Sequence, residues 1–515
     1  MYTIGDLCRK SALSWPDRTA LVFEETRLTY RQLDERVNRL ANALKANGIG
    51  KNDRLAVLAE NTHKYLEIYF AASKIGISVT PLNFRLSDSE ITLIVNDAEA
   101  TVFLAADGYE TKIEALKDQC KNIRFWITLD NPLEGVAFYE DMLASASPDD
   151  PQEDSDPEEM AILMYTGGTT GLPKGVMMSH KGLMTGIIGA TIQLSFSRKD
   201  ATCFVLPLFH VSFWPAFSVL MAGGKVVINR SPDLNGMLKL IQDEKCTHIN
   251  AVPTIYGWML QMADVDAYDL SSLRLITYAG SPFPLELLKQ CMAKFGPKFE
   301  QAYAMTECMN GTFLSMEDHV ITGPKSRLLT SAGRPMQSVS IGIVDTEDNF
   351  LSPNEVGEVV IQSQCVMMGY WKNPKLTEEV FRGGWYHTGD MGYIDEEGYL
   401  FMVDRKADMI VTGGENVYPK EVEDILYSHP AVAMAAVVSA PDEKWGERVQ
   451  AVIVLKPDQS VEEDELVAFC KEKLGGYKCP KKIEFWESLP TTPVGKILRK
   501  DVKKKFWEGE ERSIG

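Results

Sequence analysis

The stretch that most constrains this chain is residues 165–176, which read YTGGTTGLPKGV. It follows an apolar run at 160–164, and such a run is typical of a buried strand. The glycines let successive backbone N–H groups point at one place, and a nest of that kind binds phosphate oxygens. Threonine hydroxyls and the ammonium group of Lys174 add further donors. The stretch therefore predicts a loop that grips a polyphosphate.

Two other interpretations of this loop compete with the first. An ordinary nucleotide P-loop needs a glycine, four residues and then Gly-Lys-Ser/Thr before a helix. Here Pro173 precedes Lys174 and Gly175 follows it, so that motif is not met. The second alternative is a glycine-rich surface turn, which the length of the stretch and the buried strand before it disfavour.

The size and the charge of the chain limit its class. Because 515 residues exceed what one core normally holds, two or more domains are expected. A formal net charge of −19 repels nucleic acid and anionic membrane, so neither is expected as a partner. Nine cysteines occur without a C-x-x-C pair, and the seven histidines show no metal-ligand spacing. Reduced thiols fit best, which predicts a cytoplasmic protein.

Neither a signal peptide nor a membrane span is predicted. The first ten residues, MYTIGDLCRK, lack the apolar run of a signal peptide. Residues 201–224 carry no formally charged side chain apart from titratable His210 and are long enough to cross a bilayer. Pro207, Pro215 and paired glycines interrupt them, so this segment is interpreted as buried strand, loop and helix.

Helix and strand signals alternate over residues 20–130, which implies parallel βαβ units. Thr29 and Gln32 form a capping box before an amphipathic helix that Gly48 ends. The apolar face of this helix carries Leu33, Val37, Leu40 and Leu44. Strands are predicted at 55–59, 77–80, 102–105 and 125–129, and a further helix at 65–75. Residues 145–159, rich in Pro, Ser and acids, are interpreted as a solvated linker.

The pattern changes twice toward the C-terminus. Short glycine-containing β runs at 339–344, 357–361 and 399–403 indicate a small barrel-like sheet. After Asp404-Arg405 the signals are those of a compact α+β unit of about 110 residues with its own core. Helices are predicted there at 419–428 and 463–473, and strands at 432–438, 449–455 and 483–486.

Four further stretches supply what a nucleotide site needs. They read QAYAMTE (301–307), YHTGD (386–390), KADMIVTGGENVYPKEV (406–422) and PTTPVGKILRK (490–500). An aromatic ring stacks on a purine, a threonine reaches a phosphate, and Mg²⁺ prefers one or two carboxylates plus substrate phosphates. Taken alone, the first, second and fourth stretches also fit a capped strand end, a glycine turn and a basic tail.

Together and in this order, the five stretches resemble the adenylate-forming superfamily, which includes acyl- and aryl-CoA synthetases, luciferases and peptide-synthetase adenylation domains. The resemblance covers essentially the whole chain, with three departures. Gly167 stands where serine is common, Ala304 where glycine is usual, and Ala407 at a pivot that is commonly Asp or Lys. The last departure puts the rate of domain rotation in doubt.

The fold class that the resemblance implies is α/β. A large N-terminal domain of doubly wound αβαβα sheets plus a small distorted β-barrel is expected over 1–404. A hinge is expected at 405–408, with its pivot at Ala407, and a small mobile α+β domain at 409–515.

The resemblance also assigns the nucleotide site. Tyr303 stacks on the base, Thr306 binds the α-phosphate and Glu307 is the Mg²⁺ ligand. Asp390 holds the ribose, and Arg405 makes a second ribose or phosphate contact. The other implied nucleotide contacts are Thr166, Gly167, Gly168, Thr169, Thr170, Gly171, Lys174, Gly280, Ser281 and Pro282.

Lys496 is the implied catalytic lysine, acting with Thr306, Glu307 and His210. A carboxylate that attacks an α-phosphate meets anion–anion repulsion, and negative charge builds on the equatorial oxygens. One positioned donor stabilises such charge by about 3 kcal/mol. The implied first step converts a carboxylate and ATP into an acyl-adenylate and pyrophosphate.

In the CoA branch of this family, the thiol of CoA then displaces AMP. Gly413, Gly414 and Glu415 are the implied loop that leaves room for a pantetheine arm, and Arg448 and Lys478 are placed to meet CoA phosphates. ATP, Mg²⁺ and CoA are thus the expected cofactors. Two alternatives stay open: an adenylating enzyme with a carrier protein or oxygen as acceptor, and a nucleotide-binding scaffold without catalysis. The presence of Glu307, Asp390 and Lys496 disfavours the scaffold.

The acid pocket is read from segments 206–214, 277–282 and 304–308. His210 resembles a gate to the carboxylate, although a lone histidine is more often a core residue. The expected apolar lining is Phe213, Trp214, Tyr256, Ala279 and Met305. These segments hold no lysine or arginine for a second carboxylate and no carboxylate cluster for an amino group. We therefore expect an apolar monocarboxylic acid, whether fatty, aromatic or alicyclic. The small size of Gly280 favours a pocket larger than acetate needs. The sequence leaves open whether the protein assembles as a homodimer.

Overall fold

The computed structural model describes residues 3–106, 108–153, 155–166, 173–230, 233–262, 264–405, 408–442, 444–491 and 497–508. The helices in this part are α1 (Ile4–Ser14), α2 (Tyr30–Ala46), α3 (His63–Lys74), α4 (Asp88–Asp97), α5 (Glu110–Lys117), α6 (Tyr139–Ser145), α7 (His180–Gln193), α8 (Trp214–Met221), α9 (Leu234–Glu244), α10 (Pro253–Gln261), α11 (Leu285–Phe295), α12 (Pro374–Val380), α13 (Pro419–Tyr427), α14 (Glu463–Lys471) and α15 (Arg499–Trp507). Short 3-10 segments lie at Val211–Phe213, Val265–Ala267, Met316–Asp318 and Pro324–Thr330.

The strands are β1 (Thr19–Phe23), β2 (Thr26–Thr29), β3 (Arg54–Leu58), β4 (Ser78–Leu82), β5 (Val102–Ala105), β6 (Phe125–Thr128), β7 (Ala137–Phe138), β8 (Met160–Thr166), β9 (Lys174–Ser179), β10 (Ala201–Phe204), β11 (Lys225–Ile228), β12 (His248–Ala251), β13 (Leu275–Ala279), β14 (Phe299–Tyr303), β15 (Thr312–Leu314), β16 (Arg334–Pro335), β17 (Val339–Val344), β18 (Gly357–Ser363), β19 (Gly369–Tyr370), β20 (Phe381–Arg382), β21 (Trp385–Ile394), β22 (Leu400–Arg405), β23 (Ile410–Thr412), β24 (Glu415–Val417), β25 (Val432–Asp442), β26 (Gly446–Leu455) and β27 (Lys482–Phe485).

Two large sheets form the N-terminal part. The nine-stranded sheet runs β16-β15-β14-β13-β12-β10-β11-β1-β2, and the eight-stranded sheet runs β19-β9-β8-β4-β3-β5-β6-β7. Strands β10 to β14 pair in parallel along the chain, as do β3 to β6. Helix α3 packs on β1 of one sheet and β4 of the other, so it lies between them. The predicted doubly wound α/β fold is confirmed.

Two smaller sheets follow. Strands β17, β18, β20, β21 and β22 form a five-stranded antiparallel sheet that corresponds to the predicted barrel-like unit. Strands β23 to β27 form the sheet of the small C-terminal domain, with its own core of buried aliphatic residues. Every secondary-structure segment predicted after 405 is present, with bounds that differ by a few residues.

Helix α2 shows how local sequence sets these elements. The Thr29 hydroxyl accepts from the Gln32 N–H while the Gln32 side chain accepts from the Thr29 N–H, so the predicted capping box is confirmed. The predicted apolar residues of this helix are buried. Burial of one such side chain stabilises the folded state by about 1.5–3 kcal/mol. Gly48 follows with φ +72°, a left-handed conformation that favours glycine.

The acidic stretch at 145–159 differs from its prediction as a solvated linker. Asp150 accepts hydrogen bonds from Arg9 (2.6 Å) and from the fully buried Lys74 (3.1 Å), and Ser155 is buried. These contacts lower the pKa of Asp150 to about 2, against the opposing effect of its burial. The stretch is therefore docked on α1 and α3 and fixes the approach to β8.

The segment 201–224 is β10, a 3-10 turn and α8, as predicted. None of the helices in the described part of the chain combines the length and the apolarity needed to cross a bilayer. All nine cysteines are buried and unpaired.

Candidate active site

The Gly/Thr loop joins two paired strands. Strands β8 and β9 are antiparallel, and Thr166 lies opposite Lys174 at their open end. Gly175 is packed so closely that an added Cβ would meet the side chains of Leu163 and Trp371 at 3.0 and 3.1 Å. The predicted contacts Gly167, Gly168, Thr169, Thr170 and Gly171 lie outside the described residues. The loop begins after Thr166 and ends before Lys174, the last paired residues of the two strands.

A tyrosine that the sequence did not single out stands at this open end. Tyr370, in β19, lies opposite Val176 of β9. Its hydroxyl donates to Glu307 (3.0 Å), and the Lys174 ammonium lies 5.4 Å from the centre of its ring. Burial, and then the charge of Glu307, raise the pKa of Tyr370. The tyrosine thus links the predicted metal ligand to the predicted phosphate-binding lysine.

Glu307 belongs to the loop between β14 and β15. The Gly311 N–H donates to the carbonyl of Tyr303 (2.8 Å) and closes that loop. Thr306 is buried beside Glu307, and the Glu307 carbonyl accepts from the Met367 N–H (2.7 Å). The loop follows the carboxyl end of a parallel strand, where ligands bind in open α/β sheets.

A second cluster joins Tyr303, Asp390 and Arg405. The Tyr303 hydroxyl donates to Asp390 (2.7 Å), and the Arg405 guanidinium lies 3.5 Å from the other carboxylate oxygen. Asp390 and Arg405 face each other on β21 and β22. The predicted base-stacking and ribose-binding residues are therefore in direct contact.

Gly280, Ser281 and Pro282 follow the carboxyl end of β13. Gly280 has φ +85°, which an L side chain rarely adopts. The chain therefore turns sharply as it leaves the strand, and glycine is the residue that permits it.

The predicted pocket residues divide into two groups. Ala279 and Met305 are half-buried next to the loops just described. Tyr256 is fully buried, with its hydroxyl donating to the Thr277 carbonyl (2.6 Å) and its ring stacked on Phe283. Its surroundings are those of a core residue, so its pocket role stays a prediction.

The histidine and aromatic pair at the start of α8 lie close together. His210 is half-buried and accepts from the Ser212 N–H at 3.3 Å. Phe213 packs on Tyr69 (5.6 Å between ring centres), and Trp214 packs on Phe313 (6.2 Å). Both rings are buried, which fixes the backbone that carries His210.

The predicted CoA contacts already have partners in this structure. Arg448 donates to the carbonyl of Pro441, and Lys478 pairs with Glu421 (2.7 Å), which raises the pKa of Lys478. Gly413 and Gly414 are exposed at the β23–β24 turn, where an added Cβ on Gly413 would meet the ring of Trp445 at 2.6 Å. Ala407 and Lys496 lie outside the described residues.

The junction before the C-terminal domain holds a charged cluster that the sequence did not reveal. Arg499 donates to Asp404 (2.8 Å), Asp408 (3.4 Å) and Glu423 (2.9 Å). Asp404 also accepts from the backbone N–H of Lys420 (2.7 Å). We call Arg499, Asp404, Asp408 and Glu423 the Arg499 network.

Comparison with known proteins gives the family. The family model of AMP-binding enzymes matches residues 8–371, and that of the AMP-binding enzyme C-terminal domain matches residues 421–496. A feruloyl-CoA synthase of Amycolatopsis is 35% identical over 97% of this chain and 98% of its own. The fatty acid–[acyl-carrier-protein] ligase ScoC of Streptomyces coeruleorubidus is 35% identical over 97% of this chain and 95% of its own. The long-chain-fatty-acid–CoA ligase FadD13 of Mycobacterium tuberculosis is 34% identical over 98% and 99%.

Solved structures agree with these relatives. The o-succinylbenzoate CoA synthetase of Bacillus subtilis, in complex with its acyl-adenylate, superposes with a TM-score of 0.84 and 31% identity over 96% of this chain and 97% of that one. The anthranilate CoA ligase AuaEII with anthranoyl-AMP gives a TM-score of 0.90 at 27% identity, covering 97% and 96%. This chain belongs to the AMP-binding enzyme family and is an AMP-forming acid–CoA ligase that uses ATP, Mg²⁺ and CoA.

Proposed function

We propose that the acid activated by this ligase is an apolar monocarboxylic acid of fatty, aromatic or alicyclic type. The observation that carries the proposal is the chemistry of the three pocket segments, which contain no lysine or arginine to pair with a second carboxylate. The side chains of Phe213 and Trp214 are buried, and those of Ala279 and Met305 are half-buried. Two relatives are named for such acids, the feruloyl-CoA synthase and the long-chain-fatty-acid–CoA ligase.

The proposed nucleotide site combines the two clusters. In this proposal Tyr303 stacks on the base and Asp390 binds the ribose. The hydrogen bond between the two side chains holds them on one side of the site, which suits a base and its attached ribose. Arg405 then supports Asp390 or meets a phosphate. Lys174 and the Gly/Thr loop hold the polyphosphate, and Thr306 holds the α-phosphate.

Glu307 is the proposed Mg²⁺ ligand. In the described part of the chain, no group of three or more His, Cys, Asp or Glu could hold a metal ion by itself. Mg²⁺ needs no such group, since it is commonly bound by one or two carboxylates plus substrate phosphates. The half-buried Glu307, oriented by Tyr370 next to the phosphate loop, fits that requirement.

For the second step we propose residues 1–404 as the N-terminal domain, 405–408 as a hinge and 409–515 as a mobile domain. The Arg499 network supports this division, because its Asp404–Arg499 bond crosses the proposed hinge and holds the two sides in one orientation. A rotation about Ala407 has to break the bonds of Asp404 to Arg499 and Lys420 before Gly413 and Gly414 can approach the adenylate.

An alternative acceptor is a carrier protein, favoured by the similarity to ScoC, whose name gives it a carrier-protein substrate.

Localisation in the cytoplasm is proposed because all nine cysteines are unpaired thiols. Assembly as a homodimer stays a hypothesis, which light scattering of the purified protein tests.

The acid class and the acceptor are tested together. Purified enzyme with MgATP is given a panel of fatty, aromatic and alicyclic monocarboxylic acids, matched dicarboxylic acids and acetate, each with and without CoA. We expect CoA-dependent AMP release and thioester formation with monocarboxylic acids of medium or large size. Preference for a dicarboxylic acid or acetate contradicts the proposed class, and adenylate formation without any thioester favours the carrier protein.

Tyr370→Phe removes the hydroxyl that orients Glu307. Loss of such a partner typically weakens metal binding by about tenfold or more. The Mg²⁺ concentration that half-saturates adenylate formation is expected to rise by that factor, as measured by pyrophosphate release. Tyr393→Phe is the control, because this tyrosine lies in β21 of the five-stranded sheet and stacks on Phe401 (5.0 Å). An unchanged Mg²⁺ requirement in Tyr370→Phe argues against Glu307 as the ligand.

Lys496→Ala separates the two steps. Adenylate formation is expected to fall by about a hundredfold or more, since one cation that stabilises transition-state charge is lost. Thioester formation from supplied acyl-adenylate is expected to persist, because the thiol attacks the acyl carbon and AMP leaves without any attack on phosphorus. Lys500→Ala is the control in the same basic segment. Equal loss of both steps in Lys496→Ala overturns the assigned role.

Arg499→Met leaves the three carboxylates of its network without their shared cation. The proposed hinge should then open more often, and trypsin should cleave after Arg405 or Lys406 several times faster. The measurement is the rate at which mass spectrometry detects the fragments cut at these positions. Arg382→Met, which removes an exposed pair with Asp348 (2.8 Å), is the control. Equal cleavage rates in both variants count against the network as a brake on the hinge.

A further inference from the structure

A chain of buried polar side chains crosses the nine-stranded sheet beneath the predicted acid pocket. His248 of β12 lies 2.8 Å from the hydroxyl of Thr202 through Nδ1 and 3.0 Å from that of Thr277 through Nε2. The Thr277 hydroxyl also donates to the side-chain oxygen of Asn250 (2.9 Å). All four side chains are at least nine-tenths buried.

With Thr277 donating to Asn250, one direction of donation runs through the whole chain. Burial lowers the pKa of His248 to about 3, so its imidazole is neutral and carries one N–H. Because Thr277 donates to Asn250, its oxygen accepts from His248 Nε2–H. His248 Nδ1 then accepts from the Thr202 hydroxyl. The side-chain oxygen of Asn250 thus accepts a hydrogen bond from Thr277, and its NH₂ group remains as a donor.

That NH₂ group has no hydrogen-bond partner among the described residues, and a second asparagine shares this property. Asn310 is fully buried, and neither its Nδ2 nor its Oδ1 has a partner in the described part of the chain. Leaving a buried polar group unpaired costs about 1–3 kcal/mol. Two such buried amides leave hydrogen-bonding capacity that a bound molecule can fill.

Both asparagines belong to the region of the predicted pocket. Asn250 pairs in register with Thr277, and Ala279 lies two residues beyond Thr277 on the same face. Ala279 in turn pairs with Ala302, so small side chains line this face on β13 and β14, while Phe204 of β10 lies opposite Asn250 on its other side. Two strand residues span about 7 Å, which puts Asn250 deeper than Ala279.

Helix α7 covers the same face. Gln193 at its end donates to Glu300 (3.0 Å), which pairs in register with Thr277. Met309, next to Asn310, approaches α7 so closely that an added Cβ on Gly186 would lie 2.2 Å from its terminal methyl carbon. The loop that carries Thr306 and Glu307 therefore continues into the layer between this sheet and α7, where Asn310 is buried.

We propose that Asn250 and Asn310 form a polar end wall of the acid pocket, and that the preferred acid carries an oxygen substituent on its apolar body, remote from the carboxylate. Asn250 offers donors only, whereas Asn310 offers a donor and an acceptor. A hydroxyl group satisfies both asparagines, and a methoxy or keto oxygen satisfies Asn250. The proposal rests on the proposed acid class and narrows it.

The test compares acids that differ only in that oxygen. The pairs are cinnamic with 3- and 4-hydroxycinnamic and 4-methoxycinnamic acid, benzoic with the hydroxybenzoic acids, and octanoic with 8-hydroxyoctanoic acid. For at least one pair, wild-type enzyme is expected to prefer the oxygenated acid by tenfold or more in kcat/KM for thioester formation. Asn250→Leu and Asn310→Leu, which keep the side-chain volume, are each expected to reduce that ratio by about ten- to a hundredfold.

The ratio of the two acids does not depend on the fraction of folded enzyme, so a loss of stability alone cannot imitate the effect. Asn38→Leu is the matched control, because Asn38 is equally buried but donates to Asp34 (3.2 Å) and the Pro148 carbonyl (2.9 Å) in another part of the protein. Thr277→Val, which removes the anchor of Asn250, should lower the ratio as well.

A wild-type ratio within twofold of one for every pair, or an equal loss for both acids in Asn250→Leu and Asn310→Leu, overturns the proposal. Calorimetric binding of the same acids in the presence of AMP gives a second readout that needs no turnover. Selective binding of oxygenated acids without thioester formation would contradict the proposed function but support the polar end wall. Unselective binding with normal turnover would support the proposed function but contradict the polar end wall.

Discussion

The antiparallel pairing of β9 with both β8 and β19 is the constraint on which the site depends. It pins both ends of the Gly/Thr loop and sets Tyr370 beside Lys174. The hydroxyl of Tyr370 then reaches across to Glu307 in the loop after β14, so one hydrogen bond ties the eight-stranded sheet to the nine-stranded one. Backbone ladders are rigid compared with loops, and this rigidity fixes the two ends of the proposed polyphosphate-binding loop.

Positive side chains are concentrated at the proposed nucleotide site, although the protein as a whole is negatively charged. The chain carries a net charge of −19, yet its proposed nucleotide site gathers Lys174 and Arg405 around two carboxylates. At the domain junction the balance is reversed, and one arginine satisfies three carboxylates. Partly buried ion pairs of this kind contribute little net stability. That property suits the proposed hinge, which has to hold one orientation and then release it.

The acid pocket follows a different principle, in which unpaired groups matter more than paired ones. Buried amides are normally hydrogen-bonded, so the exceptions need an explanation. At Asn250 the rest of the polar chain is paired, which leaves one NH₂ group without a partner in the part of the chain that the structure describes. Specificity then arises because an acid without the matching oxygen leaves that deficit uncorrected.

Local sequence determined much of this protein. The capping box at Thr29, the strand before the Gly/Thr loop and the order of the motifs predicted the α/β fold and the family, because helix caps, periodicity and glycine loops act over a few residues. Only the tertiary structure decided that Tyr370 meets Glu307, that Arg499 reaches Asp404 and that the Asn250 NH₂ group has no partner among the described residues. These partners are far apart along the chain and leave no local pattern, since each contact exists only when sheets, loops and domain junction pack together.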